Sequence, residues 1–227
     1  MTGLLGFGAR PRAQAVMRVS TLLDEDPAAN IAAQVLHEAY KRAGLQLEVI
    51  HMPGERSLLS ANNGQTDGEL YRKAGLETAY PNLLMVPVAL MRYEIVAFSK
   101  RSDINLQGWD SLRPYRFDFI KGIKIIEDNT VGMRFETVAS MRQAFSKLML
   151  DRCDLVLMNR ISGLATLRAL KLEGIHPLSP PLASFPVYHY LHKSHADLLP
   201  RLSKILRELE QEKFMQRVQD EVQSKAE

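Results

Sequence analysis

The sequence predicts an α/β protein, and three observations carry that expectation. Near the N-terminus a strand, a helix and a strand follow one another: apolar Val16 to Leu23, helically spaced Ala28, Ile31, Ala32, Val35, Leu36 and Ala39, then alternating Leu45, Leu47 and Val49. From Phe117 onward strand and helix text alternates again. A weak symmetry links the two regions, because a helix, an Asp and a short strand with polar residues at its tip occur around Asp67 and again around Asp154. Strand, helix, strand with short joints requires a parallel sheet with right-handed crossovers.

Composition narrows the classes. The chain has 227 residues, enough for one or two domains with a real core. Its net charge of +3 comes without any basic run longer than two, so no nucleic-acid partner is expected. No stretch reaches the roughly 18 apolar residues of a membrane span. Cys153, beside Leu155-Val156-Leu157, reads as a small buried hydrophobe. Residues 1–15 contain a short apolar patch, Leu4-Leu5-Gly6-Phe7-Gly8, and end on Ala13-Gln14-Ala15, the small-residue pattern of a signal-peptidase site. They are read as the remnant of a truncated secretory signal, or else a disordered N-terminus. The first reading puts the mature chain in the periplasm.

Each element has a local cause. Asp26-Pro27 supplies an N-cap and a first-turn proline, and Gly44 stops the helix they open. Pro53-Gly54 turns into a second helix with Leu58 and Leu59 buried, which Asn62-Asn63-Gly64 stops. Thr66 to Leu70 reads as a very short strand that delivers Tyr71 and Arg72 to its end. From Lys73 to Leu90 the pattern is irregular, with Pro81 and Pro87 breaking it, and Tyr93 to Ser99 is a strand. Phe117 to Ile120 is strand-like and ends in Lys121-Gly122. Asp128-Asn129-Thr130 forms a turn. Val138, Met141, Phe145, Leu148 and Met149 then space as an amphipathic helix. Asp154 to Met158 is a buried strand ending in Asn159-Arg160; Leu164, Leu167 and Leu170 mark a helix that Gly174 stops. Phe185 to Leu191 is the last strand. Ser194 to Asp197 reads as a capping box before a C-terminal helix with Leu198, Leu202, Ile205 and Leu209 buried, expected to pack on the first of the two regions.

The stretch Ala61 to Arg72, with Asn-Gly ending a helix and Asp-Gly opening a short strand, resembles the signature of bacterial extracellular solute-binding proteins of family 3. These are the amino-acid receptors of ATP-binding-cassette importers. The order of elements from Val16 to Lys213 is similar as well. The resemblance implies the type II periplasmic binding protein fold: two α/β lobes, a double-crossing hinge and a central cleft that closes on its ligand. The crossings fall near residues 92–98 and 184–190. Lobe 1 is then 16–94 plus 189–227 and lobe 2 is 95–188, with Leu47 and Leu157 in separate sheets. The implied function is capture of a small anionic solute for an importer permease or a membrane sensor. The chain is expected to act as a monomer, with no cofactor.

Ligand contacts are expected where strands end at the cleft. Arg72 lies near where amino-acid receptors of this family place theirs, and an Arg fork suits a carboxylate. It would meet the ligand, or pair with an acid such as Glu77. The family's Gly-[Ile/Phe]-Thr-x-Thr-x-x-Arg run is absent here. Where those receptors present an Asp to the ligand ammonium, this chain has Asn159-Arg160, which argues against an α-ammonium held there. Arg72 and Arg160 are expected to converge on one anion. Glu55 and Arg56 open the second helix and line the cleft or lie in solvent. Tyr71 stacks on a ligand or covers the core, Lys121 sits beside a turn glycine, and Tyr93 enters the first crossing. The same fold hosts periplasmic dehydratases, for which Glu69 would be the general acid or base. His189, His192 and His195 cannot jointly hold a metal along an extended strand, and no metal site is expected.

Overall fold

The computed structural model describes residues 14–22 and 26–224. Residues 1–13 of the expected signal remnant lie outside the described residues. Ala15 already belongs to the fold, since its carbonyl accepts from the Gln46 N–H at 3.0 Å.

The first half starts with β1 (Val16–Thr21), α1 (Pro27–Arg42), β2 (Gln46–His51) and α2 (Gly54–Asn62). Asp26 caps α1 as expected, its carboxylate accepting from Ala28 N–H at 3.2 Å, with Pro27 in the first turn. Gly44 and Gly64 adopt positive φ just beyond the helix ends, where a Cβ would be strained. Then come β3 (Gly68–Lys73) and β4 (Leu83–Ser99), a strand of 17 residues. The second half contains β5 (Phe117–Ile120), α3 (Lys124–Asn129), β6 (Phe135–Val138), α4 (Met141–Met149), β7 (Leu155–Asn159), α5 (Arg160–Ala169) and β8 (His176–Pro177). Finally β9 (Ala183–His192) returns to the first half, followed by α6 (Leu199–Gln211) and α7 (Phe214–Ser224). Both last helices share one apolar core with α1, through Leu202, Leu206, Leu209 and Val218.

The strands run in the order β2-β1-β3-β9-β4-β7-β5-β6, with β8 also on β4. Pairs β1–β2, β1–β3, β5–β6 and β5–β7 are parallel, as the short joints require. The expectation of separate sheets is corrected here. Leu47 on β2 and Leu157 on β7 belong to one hydrogen-bonded sheet, because the crossing strands bond to each other. Strand β4 pairs with β9 from Leu83 to Ile95, then carries on against β7 from Ile95 to Phe98. The cores divide along the same line: two lie in the first half, around α1 and α6 and beside α2, and two on the two faces of β5 and β7, with Ile161 of α5 and the rings of Tyr93 and Phe185 joining the halves.

Six local expectations shift. On α2 Leu58 is buried as expected but Leu59 is exposed, because it falls on the outer side of that helix. Asp128 and Asn129 close α3 rather than forming a turn. Residues 83–90 are strand, not irregular, because Pro87 falls where the β4–β9 register slips between Met85 and Ala89 and its missing N–H forfeits no ladder bond. Tyr71 and Arg72 lie within β3, which starts two residues later than expected. Val138 ends β6, and Ser140 caps α4 by accepting from Gln143 N–H at 3.2 Å. Lys193–Leu198 forms 3-10 turns, so the C-terminal helix begins at Leu199 and Ser194 is not its cap.

His189, on β9, is fully buried. Its Nε2 lies 2.8 Å from the Tyr40 hydroxyl and its Nδ1 2.9 Å from the Glu69 carbonyl. Burial holds the imidazole down to about 4, against the upward pull of the two backbone carbonyls. The unfolded chain, with a pKa of roughly 6.5, therefore binds an extra proton between those values, and stability falls as pH drops through them. The loss should reach about 3 kcal/mol on going from about pH 7 to about pH 4. Urea denaturation of wild type and His189→Gln at both pH values checks it: wild type should lose more than the variant by that amount, and equal losses would show that His189 does not titrate this way.

Candidate functional site

A cleft of about 1530 Å³ separates the halves at the carboxyl ends of the parallel strands. The first-half wall is Leu22 after β1, Pro27 at the start of α1, and His51 to Glu55 between β2 and α2. The second-half wall is Ile120 to Gly122 after β5, Lys124 and Glu127 of α3, and Ala139 to Arg142 between β6 and α4. One side of α5, from Ala165 to Leu170, completes it.

Three contacts tie the walls together. At the rim, Lys124 Nζ lies 2.9 Å from Glu55 Oε2, and each holds the other's charge: the pair lowers the Glu55 pKa and raises that of Lys124. Deeper, the backbones of Gly54 and Gly122 approach so closely that a Cβ on Gly54 would stand 3.1 Å from the Gly122 carbonyl oxygen. Beside Pro27, the buried Asp26 carboxylate accepts from the Tyr71 hydroxyl at 2.9 Å and from the Ser162 hydroxyl of α5. Asp26 thus caps α1 and bonds across the cleft with the same side chain.

Of the expected site residues, Glu55 and Lys121 line the cleft. Arg56 is exposed on α2 and is not part of the lining. Tyr71 is buried; burial raises its phenol well above the usual range, and Asp26 adds to this. Its ring lies 6.0 Å from that of Tyr93, which stacks on Phe185 at 5.7 Å, so both tyrosines pack at the crossing strands.

Arg72 and Arg160 do not converge on one point. Arg72 holds Glu69 Oε1 with Nε at 2.7 Å and Nη2 at 2.6 Å, and reaches the Gly54 carbonyl at 3.4 Å. The other Glu69 oxygen accepts from Ser57 Oγ at 2.6 Å and Ser20 Oγ at 2.9 Å. Glu69 is fully buried; desolvation raises its pKa, and Arg72 and the serines oppose that shift. With both oxygens engaged it is an internal ion-pair partner, without the exposed oxygen a general acid needs. Arg160 Nε bonds Glu94 Oε2 at 2.6 Å. Asn159 is buried and caps α5, accepting from Ile161 and Ser162 N–H at 2.9 and 3.1 Å. Each of the three is drawn to a partner inside the fold: Arg72, within β3, to Glu69; Arg160, opening α5, to Glu94; and Asn159 to the first amides of α5.

Cleft residues that sequence reasoning missed are Lys124, Arg142 and Arg168, with Asp26 and Ser162 across the inner end. Arg142 could have been found had β6 been read as a strand, since it lies in the first turn of the helix that follows.

No family model matches the chain. An uncharacterized protein of Shewanella oneidensis is 24% identical over 203 residues, spanning 85% of this chain and 76% of its own length. Among solved structures, the ligand-binding core of GluR0 in complex with L-glutamate aligns at a TM-score of 0.78 and 9% identity, over 92% of this chain and 99% of its own. A mutant of the ArgBP of T. maritima aligns at 0.75 and 16% identity, over 92% and 96%. A histidine kinase sensor domain with similarity to periplasmic binding proteins aligns at 0.74 and 15% identity, over 92% and 95%. The fold is that of the two-lobed periplasmic binding proteins. No helix among the described residues is long and apolar enough to cross a membrane.

Proposed function

We propose that this chain is a periplasmic solute-binding protein that captures a small anionic solute between its lobes, for an importer or a membrane sensor. The observation that carries the reading is the charge of the cleft. Among the described residues, Lys121, Lys124, Arg142 and Arg168 line it, against Glu55 and Glu127. A low-dielectric cleft with a cationic excess concentrates anions and holds them by charge-assisted hydrogen bonds. The lobes, 16–94 plus 189–227 and 95–188, would move about the β4 and β9 crossings. The glutamate- and arginine-related neighbours support a solute-binding role in general terms.

The reading is tested by a thermal-shift screen over organic acids, amino acids, polyamines and small sugars, followed by titration in rising salt. A bound anion at a hundredfold excess over its Kd should stabilise by about 2.7 kcal/mol. Its affinity should fall with ionic strength, its binding should shrink the radius of gyration in solution scattering, and it should be recovered unchanged. Conversion to a product would replace the receptor reading with an enzyme.

A further inference from the structure

The cleft's charges constrain more than the sign of the solute. On the reading that this cleft is the solute site, each carboxylate on or beside it among the described residues is already engaged. Glu55 meets Lys124 at 2.9 Å with one oxygen and accepts from the Tyr80 hydroxyl at 3.1 Å with the other. Glu127 accepts from Gly122 N–H at 2.7 Å and lies 3.9 Å from the same Lys124. Asp26 is satisfied by Ala28 N–H, the Tyr71 hydroxyl and the Ser162 hydroxyl. Lys121 and Arg142, in contrast, make no ion pair among the described residues.

Among the described residues, a zwitterion entering this cleft would find cations for its carboxylate and, for its ammonium, only Glu55 and Glu127, which already share Lys124. Burying an unpaired ammonium is costly, so such a ligand would have to pull Glu55 or Glu127 from its partner. The uncharged wall is hydrocarbon in large part: Leu22, Met52, Pro53, Ile120, Met141 and Leu170. Its volume of about 1530 Å³ also exceeds the roughly 300–1,000 Å³ common for small-ligand pockets. We infer that the cleft takes a carboxylate on an apolar body without an ammonium group, in preference to a free amino acid. Lys121 and Arg142 meet the carboxylate, and the apolar wall takes the body. This rests on the receptor reading and narrows it to one ligand class.

Matched pairs test it by isothermal titration of the full chain. Hexanoate, octanoate and 3-phenylpropionate are each compared with the 2-amino analogue, norleucine, 2-aminooctanoate and phenylalanine; succinate serves as an anion without a hydrocarbon body. At least one simple carboxylate should bind at least tenfold more tightly than its amino analogue and than succinate. Lys121→Ala and Arg142→Ala should each weaken it about tenfold with an unchanged melting temperature of the free protein. An amino analogue binding as tightly, or succinate binding best, overturns the class and leaves the receptor reading in place. The same holds for silence in every arm when another solute class responds in the broader screen. Silence in both experiments overturns the receptor reading itself.

Discussion

Replacing Arg72 by Ala should lower the stability of the fold by about 3–5 kcal/mol, the usual cost of removing one partner from a buried ion pair. Glu69 is completely enclosed, and Arg72 is only 13% exposed on its side chain. Without the guanidinium, the carboxylate keeps two serine hydroxyls but no counter-charge. It must then be buried as an uncompensated charge or take up a proton. Urea denaturation of Arg72→Ala measures the loss. The double variant Glu69→Gln/Arg72→Met should regain most of it, because removing both charges also removes the desolvation penalty. A loss below about 1 kcal/mol, the size typical of an exposed pair, would show that Arg72 is not committed to Glu69. The stability measurement also separates the two roles considered for this residue, since a ligand-binding Arg with no structural duty would change affinity and leave the denaturation midpoint in place.

The second large effect is expected at Gly68. A Cβ there would lie 2.2 Å from the Tyr190 carbonyl oxygen and 3.3 Å from Leu191 Cα, both backbone atoms of β9. No side chain can rotate aside, so Gly68→Ala must push β3 and β9 apart where the returning strand joins the first half. A cost of about 3 kcal/mol is expected, at the upper end for overpacking. For a chain of this length that is a fall of roughly 6–12 °C in melting temperature. Calorimetry of the variant decides it; an unchanged melting temperature would mean that the strands do not approach this closely. The conformational requirement that makes glycine useful at Gly64 is different, since the constraint at Gly68 is space rather than φ.

These two positions show what the sequence could and could not disclose. The periodic elements were legible because their causes are local: Asp26-Pro27 opens α1, Asn62-Asn63-Gly64 closes α2, and alternating apolar residues make β2. Strand β4 before residue 91 was hidden because Pro87 argues locally against a strand, and only the register slip opposite β9 accommodates it. Strand β6, Phe135-Glu136-Thr137-Val138, has three exposed residues of four and no periodic signal. At the site, Glu55 and Lys121 could be placed because each adjoins a Gly at a strand-to-helix turn. Arg72 and Arg160 could not. Their partners Glu69 and Glu94 are three and 66 positions away, and no local pattern states which acid an arginine will meet.

The returning strand also sets an order of assembly. Strand β9 lies between β3 and β4 and bonds to both, yet it follows them in the chain by more than 80 residues. The first half therefore cannot be completed until the ribosome has delivered residue 192 and the helices after it. Until then Leu70 and Val86 lack the partners that later bury them beside Val187 and Leu191. The second half, whose cores run from Ile95 to Leu182, is contiguous and can close on itself sooner. Long-range pairing of this kind is slow, and it leaves unpaired strand edges open to aggregation while synthesis continues. A nascent chain arrested before Ala183 should thus protect its middle segment from protease while its N-terminal strands remain cleavable.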